Sequence, residues 1–152
     1  MISGDHRGEI REWDLSTGES VAYPGALGVA SKLAIGPCGR IAIWGTSGYV
    51  EVWSEDGTCW KVKKPWVEHV FFFGTYLVLS DNRSHSKEKS STWVEVWELG
   101  QESPIEVLEQ TRGWCLDPER MALSGADGNL TIKTNGQSAA VFKPGVRVDY
   151  VF

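Results

Sequence analysis

The sequence predicts an all-β protein, a β-propeller of four four-stranded blades. Three observations carry this. A seven-residue segment recurs four times at steps near 40 residues. Each copy alternates apolar and polar residues with the period of two that a half-buried strand requires. Gly-rich turns cut the stretches between copies into short apolar runs.

The recurring segments are residues 9–15, 49–55, 93–99 and 129–135. Their anchors are Trp13, Trp53, Trp97 and Lys133, at steps of 40, 44 and 36 residues. In the second copy Val50 and Val52 share one face, while Tyr49, Glu51 and Trp53 share the other. Short apolar runs precede the last three anchors at 41–44, 76–79 and 120–123, and earlier ones lie at 29–35, 67–73 and 111–116. Outer runs follow the anchors at 20–23, 58–62, 105–108 and 139–142. The joints carry turn residues: Ser16-Thr17-Gly18, Gly36-Pro37-Cys38-Gly39, Asp56-Gly57, Asp127-Gly128 and Asn135-Gly136. Nothing longer than a turn shows a period of 3.6, so helices are not expected. A sandwich or barrel also uses such strands, but a 40-residue period with four strands per repeat selects the propeller.

The residues Ser3-Gly4-Asp5 followed by Glu9-Ile10-Arg11-Glu12-Trp13-Asp14 resemble the end of a WD40 repeat. The stretch 124–132 resembles another, whose tryptophan has become Lys133. The resemblance, which is also to the repeats of F-box/WD-type adaptors, covers nearly the whole chain, which is taken as one domain over residues 1–152. It departs from the family pattern in places. No Gly-His dipeptide is present, only the first segment keeps Trp-Asp, and the turn aspartate is clear only at Asp127. In that family the aspartate, a histidine, a strand Ser or Thr and the tryptophan form a hydrogen-bonded network in each blade. The resemblance therefore implies incomplete networks here, with more weight on apolar packing between blades.

Call the strands of a blade a to d, from the central channel outward. The chain opens on strands b, c and d, continues through three complete sets, and closes on residues 147–152, which match strand a. The two termini are thus expected to share one blade, because an open edge exposes unpaired backbone groups. The expected arrangement is a homodimer: an eight-bladed ring in which each C-terminal strand completes the partner's first blade. A four-bladed ring closed within one chain and a place in something larger are the alternatives.

Composition limits the functions. The chain has 152 residues, 41% hydrophobic, with a net charge of −5. Its Lys and Arg are scattered, apart from Lys61, Lys63 and Lys64, so the counterion release that drives nucleic-acid binding has no basic stripe behind it. No apolar run reaches the roughly 18–20 residues of a membrane-spanning helix. The first ten residues carry Asp5, His6, Arg7 and Glu9 and no apolar segment of a secretory signal, so a cytoplasmic or nuclear location is expected. Cys38, Cys59 and Cys115 form no close pair, and neither a metal nor a cofactor is expected.

Candidate chemistry is sparse. His6, His69 and His85 lie far apart, and no hydrolase, phosphate-loop or metalloprotease motif occurs, so an enzyme is the least expected function. Glu95 and Glu98 read as strand decoration. Trp13, Trp53 and Trp97 occupy one repeat position and, with Asp127, read as structural anchors. The expected binding residues lie in loops at one mouth of the ring: Tyr23, Lys64, Trp66, Arg112 and Trp114, with Arg83 and His85 in an inserted polar b–c loop over 80–92. The predicted function is a non-enzymatic protein- or peptide-binding scaffold or adaptor. The alternative is a lectin-like propeller with sugar-stacking aromatics repeated in each blade.

Overall fold

The computed structural model describes residues 1–5, 7, 9–23, 30–81, 93–117, 119–125, 129–134 and 137–142, with the backbone alone at 30–31, 114–116 and 137–142. Fifteen strands are described. They form four antiparallel meanders in chain order. Blade 1 holds β1 (Ile2–Gly4), β2 (Ile10–Trp13) and β3 (Ser20–Tyr23). Blade 2 holds β4 (Ala30–Ile35), β5 (Ile41–Gly45), β6 (Tyr49–Trp53) and β7 (Cys59–Lys63). Blade 3 holds β8 (His69–Phe73), β9 (Tyr76–Asp81), β10 (Trp93–Trp97) and β11 (Glu106–Glu109). Blade 4 holds β12 (Arg112–Asp117), β13 (Arg120–Ser124), β14 (Leu130–Thr134) and β15 (Gln137–Phe142). Most neighbouring pairs need only a short turn, as antiparallel strands allow, whereas residues 82–92 separate β9 from β10. The four recurring segments are the third strands, and blade 1 begins on strand b as the count predicts. The expected sixteenth strand, over 147–152, lies outside the described residues, as does Asp127.

Local chemistry sets the turns. Between β6 and β7, Asp56 Oδ1 accepts from the Thr58 amide at 2.9 Å and from its hydroxyl at 2.7 Å. The Thr58 hydroxyl is the larger cause of an Asp56 carboxyl held below its usual range. Gly57 then takes φ +82°, which a side chain would resist.

Alternation gives each blade two faces, and each face has a partner blade. The face of blade 2 that looks back toward blade 1 carries Ile41, Ile43 and Trp53, which pack on Ile2, Ile10 and Tyr23. Blade 3 looks back with Val70, Phe72, Leu77, Leu79 and Trp97, which pack on Ala42, Val50 and Val52 of blade 2. Blade 4 looks back with Met121 and Leu123 onto Phe71, Phe73, Val78, Val94 and Val96 of blade 3. The core is therefore a series of slabs between blades. Each sealed side chain contributes on the order of 1.5–3 kcal/mol.

Two glycines report how closely the slabs approach. A Cβ at Gly36, on the a–b turn of blade 2, would lie 2.7 Å from the Phe72 ring of blade 3. One at Gly113 of blade 4 would lie 2.9 Å from a Val94 methyl of blade 3. The packed rings and strands behind these contacts have little room to give. Gly36→Ala is expected to destabilise the protein by about 1–3 kcal/mol through overpacking. Urea denaturation checks this, and an unchanged midpoint would show that the blades can part at this point.

Candidate functional site

In blade 2 the segment that follows strand d meets the b–c turn on one face of the propeller. In blade 2 the Lys64 amide donates to the Gly48 carbonyl at 2.8 Å, tying the segment after β7 to the β5–β6 turn. The Lys64 carbonyl accepts from the Trp44 indole N–H at 2.9 Å. The backbone of Lys64 is thus held on both sides, and its side chain reaches across to blade 3.

There Lys64 Nζ lies 2.7 Å from Glu95 Oε1. It also stands 5.1 Å from the Trp97 ring centre and 5.7 Å from that of Trp93, a cation–π arrangement. The second Glu95 oxygen, Oε2, accepts from the Trp97 indole N–H at 2.9 Å. Ammonium, carboxylate and indole close a triangle across the blade 2–blade 3 junction. Trp60 of blade 2 completes it, 5.5 Å from Trp97 and tilted by 58°, with its own N–H donating to the Gln101 carbonyl at 3.3 Å. Glu95 is therefore more than strand decoration: it is the carboxylate to which both blades bind. Lys64, expected among the binding residues, has its charge engaged inside the frame.

The other anchors solve the same problem differently, and register explains why. The b-strand residue opposite the position two before the anchor is Ser3, Ile43, Leu79 and Leu123 in blades 1 to 4. Blade 1 keeps the strand serine of the WD40 pattern, and the Trp13 indole donates to Ser3 Oγ at 2.8 Å. Blade 3 has Leu79 there and uses Glu95 instead. Blade 2 has Ile43. Its Glu51, only 4% exposed, spends Oε1 on Lys61 Nζ at 2.7 Å, and Lys61 stands 4.4 Å over Tyr49. Glu51 Oε2 and Trp53 Nε1 are both left buried without a hydrogen bond. In blade 4 the lysine that replaces tryptophan reaches back to blade 3, with Lys133 Nζ 2.9 and 3.0 Å from the two Glu106 oxygens. Among the described residues the blade 2 network is incomplete, with the Trp53 indole unpaired, and in blade 4 Lys133 spans the junction with an ion pair in place of a ring.

The remaining expected site residues sit as follows. Trp66 is 65% exposed, and no other aromatic side chain among the described residues is exposed. It follows Pro65, which packs against Gly48, so its backbone stands on a firm base. Arg112 is exposed at the start of β12, on the same d–a side. Tyr23 ends β3 and donates its hydroxyl to Glu12 Oε2 at 2.7 Å. That bond, with burial second, pushes the phenol up to about 12. Trp114 lies in β12 opposite Ala122, its side chain outside the described atoms. Arg83 and His85 lie outside the described residues. Among the described residues Trp66 and Arg112 are exposed, while Lys64 and Tyr23 are engaged with neighbours.

This geometry has counterparts among solved structures. A chain of the mitotic checkpoint complex matches over 90% of this chain and 46% of its own length, at 11% identity and a TM-score of 0.57. BamB from Moraxella catarrhalis matches over 98% and 47%, at 14% identity and 0.63. The WD40 repeats of RRP9 match over 93% and 47%, at 18% identity and 0.58. No family model matches the sequence, and no curated protein matches it. The chain is a WD40-like β-propeller, spanning about half the length of the structures it matches.

Trp53 and Trp97 offer a direct test of the register argument. Trp97→Phe is expected to cost about 1–2 kcal/mol more than Trp53→Phe, since only Trp97 loses a hydrogen bond to a carboxylate. Equal losses in thermal or urea melts would mean that Trp53 is satisfied after all.

Proposed function

We propose that this chain is a non-enzymatic scaffold that binds a protein or peptide on the face built by its d–a and b–c connections. The observation that carries this is Trp66, a tryptophan 65% exposed on a segment whose backbone is fixed. Tryptophan and arginine are the side chains from which interfaces draw most of their energy. Arg112 stands exposed on the same side of the propeller. Below them, the Lys64–Glu95–Trp97 triangle keeps blades 2 and 3 from shifting, so the face meets a partner without ordering itself first. One of the matching structures is described as part of a complex, which agrees with a role in assembly.

A sugar-binding propeller would need its stacking aromatic in each blade. The sequence places Gly25 and Gly145 where blade 2 has Trp66, each after the same proline, so the feature does not repeat. The free thiols of Cys38 and Cys59 suit a reducing compartment and support a cytoplasmic or nuclear place of action.

A second copy of the chain completes the ring in this reading. Leu33 and Ile35 of β4 support it. Their counterparts in blade 3, Val70 and Phe72, are buried against blade 2, yet Leu33 and Ile35 are exposed. They face the place where blade 1 would have an inner strand. Residues 147–152 of the second copy, with Val148, Tyr150 and Phe152 in alternation, have the apolar content to cover them.

Trp66→Ala and Arg112→Glu are expected to abolish partner capture in affinity purification while leaving circular dichroism unchanged. Partners recovered equally by wild type and by both variants would move the binding face elsewhere. Deleting residues 147–152 is expected to return the chain to monomeric mass in light scattering, and a deletion that leaves a dimer rules out strand exchange.

A further inference from the structure

We infer that the outer face of blade 1 docks on the far face of blade 4 in a second copy of this chain, with Trp13 as the anchor. The inference rests on the two-copy reading above and adds the surface that holds the copies together. Its basis is an interface that the chain builds three times within itself.

At each internal junction the third strand of one blade is sealed by the next blade. Ile10 in blade 1, Val50 and Val52 in blade 2, and Val94 and Val96 in blade 3 are all buried. The positions in blade 4 with the same register are Leu130 and Ile132, and both are only half-buried. They form an apolar strip that no further blade among the described residues seals. The incoming half of the interface shows the converse. Its second-strand residues are buried in blades 2, 3 and 4, at Ile41 and Ile43, Leu77 and Leu79, and Met121 and Leu123. In blade 1 those positions are Met1, 62% exposed, and Ser3, half-buried.

The chain thus carries one spare copy of each half of its own interface. Within one chain the two halves do not cover each other, or Met1, Leu130 and Ile132 would be sealed. Blade 1 presents the right anchor. Trp13 occupies the position of Trp53 and Trp97, which seat on the preceding blade at the other junctions. Its indole N–H is already satisfied by Ser3, so burying the ring leaves no orphaned donor. Strand exchange is geometrically consistent with this docking, because a strand that leaves blade 4 and joins blade 1 of another copy brings those two blades side by side. The match of nearly the whole chain to under half of larger propellers leaves room for a second set of blades. Head-to-tail contacts of this kind form a closed ring only when the rotation closes, here after two copies.

The experiment uses the full chain in three forms: wild type, Trp13→Asp and Ile132→Asp. Light scattering should give the mass of two chains for wild type and of one chain for each variant alone. An equimolar mixture of the variants should recover the two-chain mass, because one of the two junctions then pairs an intact blade 1 with an intact blade 4. Monomeric wild type overturns both this inference and the two-copy reading, and open assemblies of more copies overturn the closed pair. Dimeric wild type with unaffected variants overturns the docking face alone and leaves strand exchange standing, and a mixture that stays monomeric also overturns the docking face. Should a variant fail to fold, hydrogen exchange on wild type across a dilution series replaces it. Amides in Leu130–Thr134 and Ile10–Trp13 should lose protection as the pair dissociates, and unchanged protection there overturns the inference.

Discussion

Everything in this protein depends on one repeated act: the seating of each blade on the face of the blade before it. A four-stranded antiparallel sheet has two faces and cannot bury both alone. Among the described residues the slabs between blades hold nearly all of the large buried side chains. Strands within a blade are joined by their backbone ladders and a few side-chain bonds such as Trp13–Ser3 and Lys61–Glu51. The anchor position on the third strand decides how each junction is made. Trp53 makes it with a ring among isoleucines, Trp97 with a ring braced by a carboxylate, and Lys133 with an ion pair to Glu106. The sequence degenerates at these positions, but the junction persists because each replacement still reaches the preceding blade.

The junction between blades 2 and 3 is the most elaborate, and it lies directly beneath the proposed binding face. Lys64 belongs to the same short segment as Trp66. Its amide, carbonyl and ammonium are all engaged, by Gly48, Trp44 and Glu95. Frame and proposed contact surface are therefore one piece of chain, with the residue two positions later exposed. A surface made this way loses little conformational entropy when it binds. The junction between blades 1 and 2 is less well satisfied, with two buried polar atoms unpaired. The cost of such atoms falls on stability rather than on the contact face.

Much of the fold was legible in the primary structure because propeller strands obey a period of two and their turns need specific residues. The 40-residue step, the alternation in Tyr49–Trp53 and Trp93–Trp97, and the glycines at the joints placed strands, order and blade count. The site was less legible. Trp66 stood out as an aromatic in a loop, and it is exposed. Lys64 and Glu95 did not stand out as a pair, since 31 residues and a blade boundary separate them. A lysine two residues before a tryptophan looks like a surface charge until the next blade brings a carboxylate to it. The only signal available was the repeated Glu two positions before Trp in blades 2 and 3. Even that signal misleads, because Glu51 is bound by Lys61 of its own blade and Glu95 by Lys64 of the blade before.

The sequence by itself determined what short-range chemistry controls: which residues alternate, where the chain turns, and which position in each repeat is the anchor. Only the tertiary structure decided which anchors are satisfied, which cation meets which carboxylate, and which apolar strips are sealed. The physical reason is that these outcomes depend on contacts between blades. A residue's partner in the next blade lies some 40 positions away, and its identity is fixed by register and packing rather than by any local pattern. The WD-like anchors were visible as a periodic mark. That Trp13, alone among the tryptophan anchors, has a strand serine to hold its indole required the blades to be laid side by side.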